Sequence, residues 1–138
     1  MTLYLADTSA WHRSQEASVA ETWETRLAAD AIGTCAQARL EILLSARSSK
    51  DYDALAAELL SLHQFPCGDT EFERALEVQS RLAKQAALHH RSVKIPDLII
   101  AASAEVAEAV LWHYDEDFDR IAAVTRQATE WLAPRGSL

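Results

Sequence analysis

Short apolar runs alternate with longer segments of helical spacing along the whole chain, and that alternation constrains the fold more than any other feature. Thr2–Ala6 has the Leu/Tyr/Leu content of a short strand that stops at Asp7. Ala31–Cys35 reads as a second strand, Val110–Tyr114 as a third that ends at Asp115, and Thr129–Leu132 as a last one. Between them Ser9–Ser14, Val19–Ala29, Ala36–Arg47, Tyr52–His63, Glu71–His90, Pro96–Ala109 and Asp117–Ala123 suit helices. In the second of these, Val19, Ala20, Trp23 and Leu27 recur at helical spacing. The polar run Ser48–Ser49–Lys50–Asp51 splits the middle pair. Asp69 or Thr70 can cap the long helix, and Pro96 has the fixed φ of a first helical position. Strands separated by helices predict an α/β sandwich with a largely parallel sheet.

Composition narrows the reading. With 138 residues, no repeat and no low-complexity linker, the chain is expected to form one domain over residues 1–138. An apolar content of 49% supports a core and argues against disorder, while three Gly and three Pro are too few for a turn-rich all-β fold. Cys35 and Cys67 lack metal-site spacing and read as buried thiols of a reducing cytoplasm. The N-terminal segment has no basic stretch of a signal peptide, and no apolar run approaches the roughly 18 residues of a membrane span. A formal charge of −8 argues against a non-specific polyanion binder. It is compatible with an enzyme whose excess carboxylates hold a cation.

In open parallel sheets, ligands bind beyond the carboxyl ends of the strands. Two strands here stop on an acid, Asp7 and Asp115. Asp97 sits in the first turn of a helix, and Glu41 interrupts the apolar sequence Leu40–Leu44. Each acid also has an ordinary reading: Asp7 and Asp97 as helix-start residues, Glu41 on a polar stripe with Gln37, Ser45 and Ser48, and Asp115–Asp117 as a charged helix start. Brought together, however, such acids repel. One pair about 4 Å apart costs ~4 kcal/mol at an effective dielectric near 20, so the cluster needs a cation or bound protons. Oxygen ligands without His or Cys select hard ions, Mg²⁺ or Mn²⁺, and an acid-lined site for such ions suits phosphoryl chemistry.

Taken together, Leu5–Ala10, Glu41 with Leu43–Leu44 and Ala46–Arg47, Asp97–Ala102, and Asp115–Phe118 followed by Ile121 resemble the PIN-domain nucleases. Within them the match is nearest to the VapC-type toxins of bacterial toxin–antitoxin pairs, and it covers essentially the whole chain. The resemblance implies a PIN-like three-layer α/β/α sandwich with a central parallel sheet and an acidic pocket for Mg²⁺ or Mn²⁺. By position, Asp7, Glu41, Asp97 and Asp115 become the core acids, both catalytic and metal-holding, with Asp117 auxiliary. Thr8 or Ser9 would hold Asp7 or the attacking water. The implied reaction is metal-dependent hydrolysis of structured RNA (tRNA or ribosomal RNA) to 5′-phosphate and 3′-hydroxyl ends. A homodimer and a cognate antitoxin covering the pocket are implied as well.

Between Val78 and Pro96 the chain carries Arg81, Lys84, Arg91 and Lys94 without one acid, with His89 and His90 among them. This segment leads to Asp97 and can carry RNA phosphates; cations favoured at a helix C-terminus are the structural alternative. Where relatives commonly have Thr, this chain has His113–Tyr114, with His113 read as a strand-end packing residue. The five histidines show no metal spacing, and no nucleophile motif, P-loop or GxGxxG occurs. The tryptophans read as core or dimer contacts. Two other functions stay open: a non-catalytic PIN-like protein-binding module, and a phosphotransfer or receiver-like domain, which lacks the paired N-terminal acids it needs.

Overall fold

The strand that ends on Asp7 is the middle of the sheet. In this computed structural model, which describes residues 1–85 and 89–138, β1 (Tyr4–Ala6), β2 (Ile32–Thr34), β3 (His63–Gln64), β4 (Val110–His113) and β5 (Thr129–Trp131) form one sheet. Their order is β3-β2-β1-β4-β5, and every neighbouring pair is parallel. Helices α1 (Thr8–His12), α2 (Ala20–Ala28), α3 (Ala36–Leu43), α4 (Ser49–Leu60), α5 (Asp69–Gln85), α6 (Ile95–Val106) and α7 (Asp117–Thr125) make the connections, with a 3-10 turn at His89–Arg91. The expected helix Glu71–His90 is thus described as far as Gln85. Residues 86–88 of that expectation lie outside the described residues.

Strand alternation builds the two faces. Leu5 and Leu111 point into one layer with Val78 and Leu82 of α5, Leu98–Ala104 of α6, and Phe118 and Ile121 of α7. Ala6 and Trp112 point into the other, against Ala10, Val19, Trp23, Ile42 and Leu59. The result is the three-layer α/β/α sandwich. Seven consecutive residues of α6 are buried, because Leu98–Ala104 is apolar or small on every side and the helix lies across the sheet. Trp23 stacks on Trp112 with ring centroids 5.2 Å apart, and Trp11 meets Trp23 edge-on at 5.9 Å. Cys35 is buried and Cys67 only partly so; both are free thiols.

Three local readings change. The sequence carries no alternation over His63–Gln64, two exposed residues, so it shows the end of a helix where the chain forms edge strand β3. Its place is fixed from β2: a Cβ on Gly33 would lie 2.3 Å from the Phe65 ring and 2.8 Å from the His63 carbonyl oxygen. The run Ser48–Asp51 does not separate two helices by itself. Ser48 Oγ accepts the Asp51 N–H at 3.0 Å and caps α4, which therefore begins at Ser49 and ends at Leu60. At α5, Glu71 reaches back instead of Asp69 or Thr70 reaching forward; its Oε1 accepts the Gly68 N–H at 2.7 Å.

Candidate metal centre and active site

β1 and β4 are adjacent and parallel, so the residues that follow them emerge at the same edge of the sheet. Asp7 follows β1 directly and caps α1: its Oδ1 accepts the Ala10 N–H at 2.9 Å. The capping reading and the site reading of Asp7 therefore describe one carboxylate. Ser9 Oγ donates to that carboxylate, with its two oxygens at 2.7 and 2.8 Å, and accepts the Tyr114 N–H at 3.0 Å. Asp7 is 4% exposed, and burial pushes its carboxyl up to about 6 against the lowering effect of these donors.

Beyond β4, Asp115 Oδ1 accepts the Asp117 N–H at 2.9 Å, a tight turn that starts α7 and aims both side chains the same way. The Asp115 N–H donates to His113 Nδ1 at 3.2 Å, which fixes the acceptor nitrogen of that ring. His113 is fully buried between Phe118 and Trp131, and burial lowers its pKa, so it packs as a neutral imidazole.

Asp97 comes from the first turn of α6, whose N-cap is Lys94. Its carboxyl is pushed up to about 7, first by burial and then by the charges of Asp115, Asp7, Asp117 and Glu41. Its Oδ2 is covered and has no hydrogen-bond partner. Glu41 projects from α3 and is partly buried; Thr8 Oγ1 donates to its Oε1 at 3.1 Å, joining α3 to the start of α1. Of its expected stripe, Ser45 and Ser48 are exposed, whereas Gln37 and Glu41 are half-covered.

One carboxylate oxygen from each of Asp97, Asp115 and Asp117 lies within 4.8 Å of the other two. Asp7 and Glu41 act on that cluster through the field they exert at Asp97. Asp117, ranked as auxiliary from sequence, stands inside the tight group, and the Asp-x-Asp spacing after β4 is the signal for it. Arg120 adds a cation to this edge of the site. It pairs with Asp117 and lies 3.6 Å from Glu116, which also pairs with Arg135. Its position one turn after Asp117 is the mark it leaves in the sequence.

This donor set fits a hard divalent cation. The oxygens all come from carboxylates, one covered oxygen is unpartnered, and burial, joined at Asp97 by the charges of the neighbouring acids, pushes the Asp7 and Asp97 carboxyls up.

The cations of the basic segment are divided. Lys94 and Arg91 are exposed on the approach to α6. Arg81 and Lys84 line a groove with Gln85, Ala123, Val124 and Arg126, between the C-terminal ends of α5 and α7.

A five-stranded parallel sheet with helices on both faces and a carboxylate cluster where β1 and β4 end defines an acid-centred α/β/α protein. The PIN domain family matches residues 4–124, and the chain belongs to that family. It is 55% identical to ribonuclease VapC18 of Mycobacterium tuberculosis over 99% of both chains. Ribonuclease VapC21 of the same species is 41% identical over 99% of this chain and 98% of its own. Among solved structures, the DNA-bound VapBC of Salmonella typhimurium superposes with a TM-score of 0.76 at 14% identity, covering 96% of this chain and 100% of that one. VapBC-1 of nontypeable Haemophilus influenzae gives 0.74 at 19%, covering 95% and 98%.

Proposed function

We propose that the protein is a metal-dependent endoribonuclease and the toxin of a toxin–antitoxin pair. The observation that carries this is the group of Asp97, Asp115 and Asp117 oxygens, with the unpartnered Asp97 Oδ2 among them, at the edge of the sheet where β1 and β4 end. The relatives' names, ribonuclease VapC18 and ribonuclease VapC21, support RNA as the substrate, and the VapBC complexes support an antitoxin partner.

Asp97, Asp115 and Asp117 would hold Mg²⁺ or Mn²⁺, with Asp7 and Glu41 completing the negative wall. When bound, such an ion lowers the pKa of water and offsets charge on phosphate oxygens. The chain's own residues do the rest. Ser9 keeps the Asp7 carboxylate in one orientation and ties it to the segment that carries Asp115. Thr8 does the same for Glu41, leaving Glu41 Oε2 free to take a proton from water. Water attacks phosphorus, the bond to the 3′ oxygen breaks, and that oxygen takes a proton from solvent to leave as a hydroxyl while the phosphate stays on the 5′ end.

RNA with an exposed single-stranded loop suits a cleft in which a strand must be splayed. Among the described residues, no helix is long and apolar enough to cross a membrane. A cytoplasmic homodimer, inhibited by an antitoxin segment lying over the acids, completes the proposal.

The test is cleavage of total cellular RNA with Mg²⁺ or Mn²⁺, beside Asp7→Asn and Asp97→Asn. Discrete fragments with 5′-phosphates, lost in both variants and in EDTA, are expected. Cleavage surviving both variants would overturn the assignment of these acids.

A further inference from the structure

The groove between the C-terminal ends of α5 and α7 is unrelated to the carboxylate cluster in position. α7 begins at Asp117 beside the cluster and carries the chain roughly 13 Å along its axis before Arg126. There Arg126, Ala123 and Val124 face Arg81, Lys84 and Gln85 across one concave surface. In a chain of net charge −8, this groove presents three cations and no acid along its lining.

Two of those cations are uncommitted. Arg81 pairs with Glu77 on its own helix at 3.2 Å. Among the described residues, Lys84 and Arg126 have no acidic partner and make no side-chain hydrogen bond. Arg126 also occupies a left-handed position, φ 61°, that closes α7 by donating its N–H to the Ala122 carbonyl at 2.7 Å. The next residue, Gln127, is anchored through its side-chain amide to the Ala101 carbonyl of α6 at 2.9 Å. The backbone that presents Arg126 is therefore held in place from α6.

Between the two regions lies Arg120, whose charge is shared with Asp117 and Glu116. Asp117, Arg120 and Val124 follow one another at spacings of three and four, along one face of α7. A strand leaving the carboxylates along that face meets Arg120 and then the groove.

We propose that this groove binds the phosphate backbone of the substrate RNA two or more nucleotides from the scissile bond. The inference rests on the ribonuclease reading above and adds a remote subsite to it. The groove contributes affinity for strands long enough to reach it, and takes no part in bond cleavage. It makes the enzyme select extended RNA over short oligonucleotides, because only the former can occupy both regions at once.

The test uses Lys84→Gln/Arg126→Asn. Gln keeps the helix propensity of α5, and Asn tolerates the left-handed backbone at 126. Binding is measured by fluorescence anisotropy in an Asp97→Asn background, with a labelled RNA hairpin whose single-stranded loop is about 20 nucleotides long. The double variant is expected to bind about tenfold more weakly near 0.1 M salt, with a log–log salt slope shallower by about 1.4, the loss of two single-strand phosphate contacts. With a labelled RNA of about 4 nucleotides, the two proteins should bind alike. In the cleaving background KM rises and kcat is unchanged.

Equal affinity and equal salt slope on the long RNA, accompanied by a lower melting temperature, would overturn the proposal and leave these residues as cations favoured by helix C-termini. A fall in kcat with KM unchanged would overturn it too. Failure of the parent Asp97→Asn protein to bind any RNA, with no metal-dependent cleavage by the native chain, would instead remove the ribonuclease reading on which it stands.

Discussion

Ser9 Oγ accepts the backbone N–H of Tyr114 at 3.0 Å, joining residues 105 apart in sequence across the edge of the sheet. Its own hydrogen goes to the Asp7 carboxylate. One hydroxyl thus sets the spacing between the two strand ends that carry acids. Ser9→Ala should leave the Tyr114 N–H without its partner and free Asp7 to rotate. Expected are a stability loss of about 1 kcal/mol by urea unfolding and a fall in cleavage of roughly tenfold or more. Ser9→Thr should recover much of both, and an equally inactive Thr variant would place the role of Ser9 in its size instead of its hydroxyl.

The carboxyl shifts fix the sign of a pH effect. Asp7 at about 6 and Asp97 at about 7 bind protons more tightly in the folded chain than in the unfolded one. Metal-free protein is therefore most stable below about pH 4 with respect to these groups, and loses that stability as pH rises through 4 to 7. For Asp7 alone the loss is on the order of 3 kcal/mol. Thermal unfolding in EDTA at pH 5 and pH 8 should show the drop, and Mn²⁺ at pH 8 should reverse it. A melting temperature in EDTA that rises from pH 5 to 8 would contradict the uncompensated cluster.

Neutralising one acid should separate stability from function. Asp97→Asn removes a charge that nothing in the metal-free cluster offsets. At pH 8 in EDTA it should raise the melting temperature, while RNA cleavage with Mg²⁺ falls about 100-fold or more. A variant less stable than the native chain under those conditions would mean that Asp97 is compensated after all.

Within the acids, geometry ranks Asp117 above Glu41 for holding the ion, since only Asp117 joins Asp97 and Asp115 in the tight group. Asp117→Asn should weaken Mn²⁺ binding by about tenfold or more in calorimetric titration, and Glu41→Gln by less, with its main loss in cleavage rate. The reverse order would put Glu41 in the coordination sphere and Asp117 outside it.

At the edge of the sheet, Gly33→Ala places a methyl group against the Phe65 ring and the His63 carbonyl. The chain there can yield only by moving β3 away from β2. A stability loss of about 1–3 kcal/mol is expected from denaturant unfolding.

The order of elements and the acids that end β1 and β4 are legible in the sequence because each is a local signal. An apolar run of three or four residues that stops on Asp, or an apolar helix such as α6, announces itself by hydrophobicity alone. The family pattern, a different kind of signal, names Asp7, Glu41, Asp97 and Asp115; of these, Asp97 and Asp115 stand in the tight group with Asp117, while Asp7 and Glu41 bear on it through their charge at Asp97. β3 is not legible: two exposed residues hold their place through β2 and the Phe65 contact with Gly33, neither of which leaves a periodic mark at His63–Gln64. Nor is the rank of Asp117, which depends on a turn made by the Asp115 side chain. The division of the basic segment is tertiary as well. Arg81 and Lys84 share a run with Arg91 and Lys94, yet α5 delivers the first two to Arg126, a residue more than forty positions away that no linear pattern connects to them. Hydrophobic burial is short-range enough in sequence to fix which segments become strands and helices. Where their ends meet, and which charges then face one another, is decided only when the layers pack.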